Sequence, residues 1–227
     1  NEKPFLWTKK NKEWIPLTWN ETSLKVKEFA GGLRSLGIKP GDKIVIVSEN
    51  RPEWIIADLA INLIGAITVP AYTTNTEDDH HYILEHSDAK AVIASNNILA
   101  NRVALATTRT NLCKILITLD NYSGFEPDNL KIIKFEEVGD FGKNNIETAL
   151  DHFEDIQPDD VSCIIYTSGT GGRPKGVMLT HKNIFSNLQG AEDLLEIIGK
   201  KDNKYLSLIP LSHSYEHTAG LYLQIDL

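Results

Sequence analysis

"GDKIVIVSENRPEWIIADLAINLIGAITVPAYTTNT", Gly41 to Thr76, decides the fold class. It opens on a β-branched run, "KIVIVSE", crosses a helix-length apolar segment from Pro52 to Ala66, and closes on a second such run, "AITVPAY". Asp58 and Asn62 interrupt the apolar segment four residues apart, on one helical stripe, and Pro70 ends it. The segment therefore reads as a buried helix followed by a strand, not as a membrane span. A strand, a crossover helix and a strand in succession imply a right-handed connection and a parallel pair.

The pattern continues outward. "AKAVIAS", "CKILITL" and "KIIKF" are further β-branched runs, and Glu77 to His86 is another helix-length insert. Strands spaced by helices specify an α/β domain with a largely parallel sheet and helices on both faces. Upstream, "PFLWTKKNKEWIPLTW" has two short aromatic and apolar runs around a Lys/Asn centre, a hairpin signal. A helix should follow, capped at Thr22 or Ser23, with Leu24, Phe29, Leu33 and Leu36 running to a stop at Gly37. "NYSGFEPDN" carries turn residues without periodicity and is expected to be a surface loop.

The 227 residues carry a net charge of −8, which argues against a general nucleic-acid binder. Cys113 and Cys163 lie in apolar contexts without CxxC spacing, so a disulfide framework has little support. A reducing, cytoplasmic setting is the expectation. Against this acidic background, Val161 to Ala191 contains no Asp or Glu, which makes any anion site local.

That acid-free region contains "CIIYTSGTGGRPKGVMLTHKNI", Cys163 to Ile184. It is not a Walker loop, because Pro174 precedes Lys175 and Gly176 follows it. Nor is it a dinucleotide fingerprint, because Pro174 stands where a third glycine belongs. It leads into another strand, "GVMLT", with a helix beginning only near Thr180. Its chemistry still suits phosphate. Gly169, Gly171 and Gly172 allow positive φ and an anion-binding nest of N–H groups. Thr167, Ser168 and Thr170 add hydroxyls, Lys175 adds a point charge, and Arg173 and Lys182 raise the local potential. A plain hairpin would need two to five residues, and this connection uses about eight.

"YTSGTGGRPKGV" resembles the signature loop of the adenylate-forming superfamily. Residues 41–76 are similar to the N-terminal segment of its acyl-CoA synthetases, and "IPLSHSYEHTAG", residues 209–220, to their next motif, with wording similar to long-chain fatty-acid CoA ligases. The resemblance implies an N-terminal part of an adenylation domain spanning 1–227, truncated, without the C-terminal domain. It implies ATP, Mg²⁺ and coenzyme A, with a fatty acid as the activated substrate. It also implies that Thr167, Ser168, Gly169, Thr170, Gly171, Gly172 and Lys175 hold the β and γ phosphates, and that Thr167 helps bind the metal. His213 and Ser214 match positions beside the acyl and adenylate groups, which makes Lys175 and His213 the catalytic candidates. Gly171 departs from the family, where Thr or Ser is usual, so a backbone N–H replaces one hydroxyl donor. The family's later Tyr-Gly-x-Thr-Glu block, ribose-binding Asp and C-terminal lysine do not occur in this sequence. Chain length of the acid, oligomeric state and peripheral membrane docking are left open.

Two other readings compete. The chain is a non-catalytic nucleotide-binding module, or "HSYEH", His213 to His217, is the H-x-x-E-H motif of a zinc hydrolase. "TEDDHHYILEH", Thr76 to His86, is expected to be a solvated helix start capped by Thr76, with a metal-ligand role as its rival. Tyr166 and Tyr215 either gate a ligand or pack in the core.

Overall fold

Apolar side chains on both faces of the β-branched runs require a sheet covered twice. The chain supplies this in order. A hairpin, β1 (Pro4–Lys10) and β2 (Glu13–Thr18), leads into α1 (Trp19–Ser35). Then β3 (Lys43–Val47), α2 (Pro52–Leu63), β4 (Ile67–Ala71), α3 (Glu77–His86), β5 (Ala89–Ala94), α4 (Asn97–Thr107), β6 (Ile115–Thr118) and β7 (Lys131–Lys134) follow. After α5 (Phe135–Gly142), α6 (Ile146–Leu150) and a 3-10 turn (Phe153–Asp155) come β8 (Val161–Thr167), β9 (Lys175–Thr180) and α7 (His181–Ile198). A π-helix (Glu216–Tyr222) and α8 (Leu223–Asp226) end the series. The structure, a computed structural model, describes residues 2–151, 153–168, 172–198 and 204–226.

Seven strands form one sheet in the order β7-β6-β5-β3-β4-β8-β9, and β1 and β2 pair separately. Neighbours are parallel except β9, which runs antiparallel to β8. The expected α/β architecture is therefore present, with one antiparallel edge. Alternation along the strands sorts the core into two layers. Ile44, Ile46, Ala91 and Ile93 pack under α1, α2 and α5, whereas Val45, Val47, Val92 and Ala94 pack under α3 and α4. No helix among the described residues is long and apolar enough to cross a membrane.

The hairpin turns on Asn11 and Lys12, with φ of 51° and 70°, the mirror-image turn that matches strand twist. α1 starts earlier than expected. Its cap is Thr18, not Thr22 or Ser23: the Thr18 hydroxyl accepts from the Glu21 N–H at 3.2 Å, and the Glu21 carboxylate accepts from the Thr18 N–H at 2.8 Å. The T-x-x-E box was present in the sequence, but β2 runs into the helix without a linker and hid it. α2 ends at Leu63, short of Ala66, because Gly65 at φ 70° turns the chain toward β4. α3 keeps the expected bounds and the Thr76 cap.

Asp58 and Asn62, the polar interruption of α2, face a second set of polar groups. Asp58 is fully buried, accepts from the Tyr222 hydroxyl at 2.8 Å and lies 3.2 Å from His217 Nε2. The Asn62 carbonyl accepts from the Ser162 hydroxyl at 2.6 Å. Burial alone would push the His217 imidazole down, but the adjacent carboxylate overrides it and raises the group to about 10. Burial likewise favours protonated Asp58, yet His217 and the hydroxyls around it hold the carboxyl below its usual range. This ion pair pins the π-helix to α2.

His80 shows the opposite solution. It is 1% exposed, and neither ring nitrogen finds a hydrogen-bond partner among the described residues. Burial, with Arg102 nearby, pushes it down to about 4. The unfolded chain takes up this proton from about pH 6.5, so stability should fall as pH drops from there toward 4. His80→Leu is expected to shallow that decline, read as Tm between pH 7 and 4.5; an unchanged slope would refute the assignment. The His217 contribution has the reverse sign, complete below the unfolded value and lost as pH rises through about 10. Asp58→Ala, which strands a buried imidazole, should cost about 3–5 kcal/mol in urea unfolding. Adding His217→Leu should return part of that loss.

Candidate functional site: a glycine-rich loop between two strands

The β8–β9 register builds the site. Tyr166 pairs with Gly176 and Thr167 with Lys175, so the last hydroxyl of β8 and the first ammonium of β9 are cross-strand neighbours. Residues 168–174 form the connection. Thr167, Ser168, Gly172 and Lys175 are all exposed. Gly172 has φ of 103°, a conformation that L side chains rarely adopt. Gly169, Thr170 and Gly171 lie outside the described residues. Among the described residues no carboxylate pairs with Lys175. The Thr167 and Ser168 hydroxyls, the left-handed turn at Gly172 and the Lys175 ammonium thus share one edge without a carboxylate among the described residues to satisfy them.

Gly176 is required for a different reason. A Cβ there would lie 2.9 Å from Ile164 Cγ2 and 3.3 Å from the Tyr166 ring. Tyr166 is buried, its hydroxyl lies 2.8 Å from His86 Nδ1, and burial first of all pushes the phenol up to about 12. Tyr166 is therefore packing under the loop, whereas Tyr215 is exposed.

Two of the expected basic contributors are engaged by other groups. Lys182 sits on the first turn of α7, where its N–H bonds to the Pro158 carbonyl at 2.8 Å and its ammonium lies 3.4 Å from Asp159. The six residues of β9 carry the chain roughly 20 Å back along β8, so Lys182 is at the far end. Arg173 belongs to the loop, but its guanidinium lies over the Tyr82 ring, 5.5 Å from the centroid. Lys175 remains the uncommitted charge.

A second segment reaches the same end of the sheet. Asn50, just past the C-terminal end of β3, donates to Ser207 Oγ and the Ile209 carbonyl, each at 2.7 Å, and accepts from the Leu211 N–H at 2.8 Å. Because β3 and β8 run in the same direction, this draws Ser207–Leu211 to the edge where Thr167 ends its strand, the edge at which open α/β sheets bind ligands. His213 and Ser214 follow and are exposed, with His213 Nδ1 accepting from the Tyr215 N–H at 3.2 Å.

The zinc reading fails on geometry. His217 turns inward to Asp58, and Glu216, 0% exposed, accepts from Tyr205 at 2.9 Å and Ser207 at 2.5 Å. His213 alone faces solvent, and among the described residues no three His, Cys, Asp or Glu side chains are grouped to hold a metal. The three histidines of α3 also separate: His80 is buried, while His86 meets Tyr166. Asn50 and Tyr82 carry no signal in the sequence, and Asp58 stands out there as a polar interruption of the helix without a partner to define its role.

An apolar groove of about 760 Å³, lined in part by Phe5, Trp19, Phe153, Pro158, His181 and Phe185, does not coincide with the loop. Pro158 and His181 flank the start of β8 and the end of β9, the opposite end of the strand pair. The candidate site is assigned by donor chemistry, not by cavity size.

The curated relatives include fatty-acid ligases. The long-chain-fatty-acid–CoA ligase FadD15 of Mycobacterium tuberculosis is 32% identical over 200 residues, covering 88% of this chain and 32% of that protein. The chloroplastic long-chain-fatty-acid–[acyl-carrier-protein] ligase AEE15 of Arabidopsis thaliana is 28% identical over 221 residues, covering 92% of this chain and 30% of its own length. The chain thus spans about a third of these relatives. The A-PCP didomain of a carboxylic acid reductase from Segniliparus rugosus, solved with AMP, has the same fold, with a TM-score of 0.75 over 99% of this chain and 35% of that one at 20% identity. With residues 1–225 matching the AMP-binding enzyme family, the chain belongs to that family.

Proposed function

We propose that the chain is the N-terminal part of the adenylation domain of an ATP-dependent ligase that activates a long-chain fatty acid as its acyl-adenylate and then passes it to coenzyme A. The observation that carries this reading is the β8–β9 connection, where Thr167 lies opposite Lys175, Ser168 is exposed beside it and no carboxylate among the described residues pairs with the lysine, within an acid-free stretch. Family membership and the fatty-acid ligases among the relatives support it.

A carboxylate is a poor electrophile, and adenylation gives it a good leaving group. A carboxylate oxygen attacks the α-phosphorus of ATP in line as pyrophosphate departs, so the protein's task is to position the groups and neutralise the leaving charge. Lys175, the hydroxyls of Thr167 and Ser168 and the N–H groups about Gly172 are suited to the β and γ phosphates, together with Gly169, Thr170 and Gly171. Mg²⁺ prefers oxygen ligands, which the Thr167 hydroxyl fits, and would neutralise phosphate charge there. His213 and Ser214, exposed at the same sheet edge, are assigned to the acyl and adenylate side. Coenzyme A is the expected acceptor, and the acyl-carrier-protein ligase among the relatives makes the acceptor a point to assay. A cytoplasmic enzyme, docking peripherally on membranes to collect its fatty acid, fits this chemistry.

Lys175→Ala in the natural full-length protein should slow fatty-acid-dependent ATP–pyrophosphate exchange about 10²–10³-fold, the usual consequence of losing a donor to developing charge. Unchanged exchange would remove the loop from the chemistry. The isolated chain is expected to bind MgATP without supporting exchange, and exchange by it would show that these residues suffice.

A further inference from the structure

The exit of the glycine-rich loop is held from below by α3. The Tyr82 hydroxyl donates to the Pro174 carbonyl at 2.9 Å, across 92 residues of sequence. That oxygen belongs to the peptide group joining Pro174 to Lys175, so the bond fixes the plane from which Lys175 departs. The face of the same ring carries the Arg173 guanidinium, 5.5 Å from its centroid.

The ring is itself held. His86, four residues on and therefore on the same helical stripe, stacks with it at 5.1 Å between centroids and 28°. Tyr166 meets it edge-on at 6.2 Å and 82°, and His86 Nδ1 lies 2.8 Å from the Tyr166 hydroxyl. Tyr166 in turn pairs with Gly176, so the cluster reaches the loop's exit strand through Tyr166 and its last peptide through Tyr82. α3 is a firm base for this clasp: Thr76 and Asp79 close a capping box at its start, and Ile83 and Leu84 are in the core.

We propose that Tyr82 is a positioning residue for the phosphate chemistry, fixing the Pro174–Lys175 peptide and drawing Arg173 aside so that Lys175 meets the nucleotide in one orientation. The inference rests on the ligase reading for what Lys175 meets. Tyr82 acts through Lys175 and touches no substrate.

The test is a double-mutant cycle in the natural full-length protein, scored by ATP–pyrophosphate exchange and Tm. Tyr82→Phe keeps the ring with its contacts to His86, Tyr166 and Arg173 and removes one hydrogen bond. It should lower kcat about three- to tenfold, the effect of a single neutral hydrogen bond, with little change in Tm. Placed on Lys175→Ala, it should have no further effect, because the group it orients is gone. Wild-type exchange by Tyr82→Phe, or losses that multiply in the double variant, would overturn the proposal. Wild-type exchange by Lys175→Ala would take the loop out of the chemistry and this proposal with it, whereas no fatty-acid-dependent exchange by the unmodified full-length protein would overturn the ligase reading, so the two failures are distinguishable.

Discussion

The antiparallel register of β8 and β9 is the constraint from which the site descends. With Thr167 opposite Lys175, a seven-residue connection must leave and re-enter the sheet within one strand spacing, which sets the Thr167 hydroxyl and the Lys175 ammonium at one edge. A slip of one residue would send Lys175 to the opposite face and place Gly176 where Tyr166 needs no room. The contact between Tyr166 and the bare backbone of Gly176 opposes such a slip, because a Cβ there would press into Ile164 and the Tyr166 ring.

A single strand also joins the loop to both layers of the fold. Ile164 and Tyr166 face α3 and α4, while Cys163 and Ile165 face α7, with Leu223 of α8 in the same cluster. Side-chain alternation on β8 therefore lets one layer brace the loop exit through Tyr82 and the other anchor the segment that leads from His213. Asn50 adds a third tie, from β3 to Ser207–Leu211. Firm support under an exposed charged side chain is the arrangement a reaction governed by positioning requires.

The two fully enclosed histidines show how the same burial penalty has opposite results. His80 has no acid turned toward it that outweighs desolvation and Arg102, and it stays neutral. His217 meets Asp58 and is charged. An apolar pair in place of Asp58 and His217 would pack without the desolvation cost. What the ion pair adds is direction, since it accepts one mutual placement of α2 and the π-helix.

Periodicity in the chain was enough for the five β-branched strands, the helices from Pro52 and Glu77 and the strand-loop-strand form of the glycine-rich connection, because each is a local pattern of burial and turn chemistry. The same text hid the Thr18 cap, since the strand before α1 continues into it, and it placed Lys182 beside a loop from which β9 carries it away. Tyr82 and Asn50 look like any helix tyrosine or strand-end asparagine until the fold brings Pro174 and Leu211 to them. Sequence alone determined which chemical groups the loop owns; only the tertiary structure decided which charges stay free to act, because pairing, stacking and burial depend on neighbours tens or hundreds of residues distant.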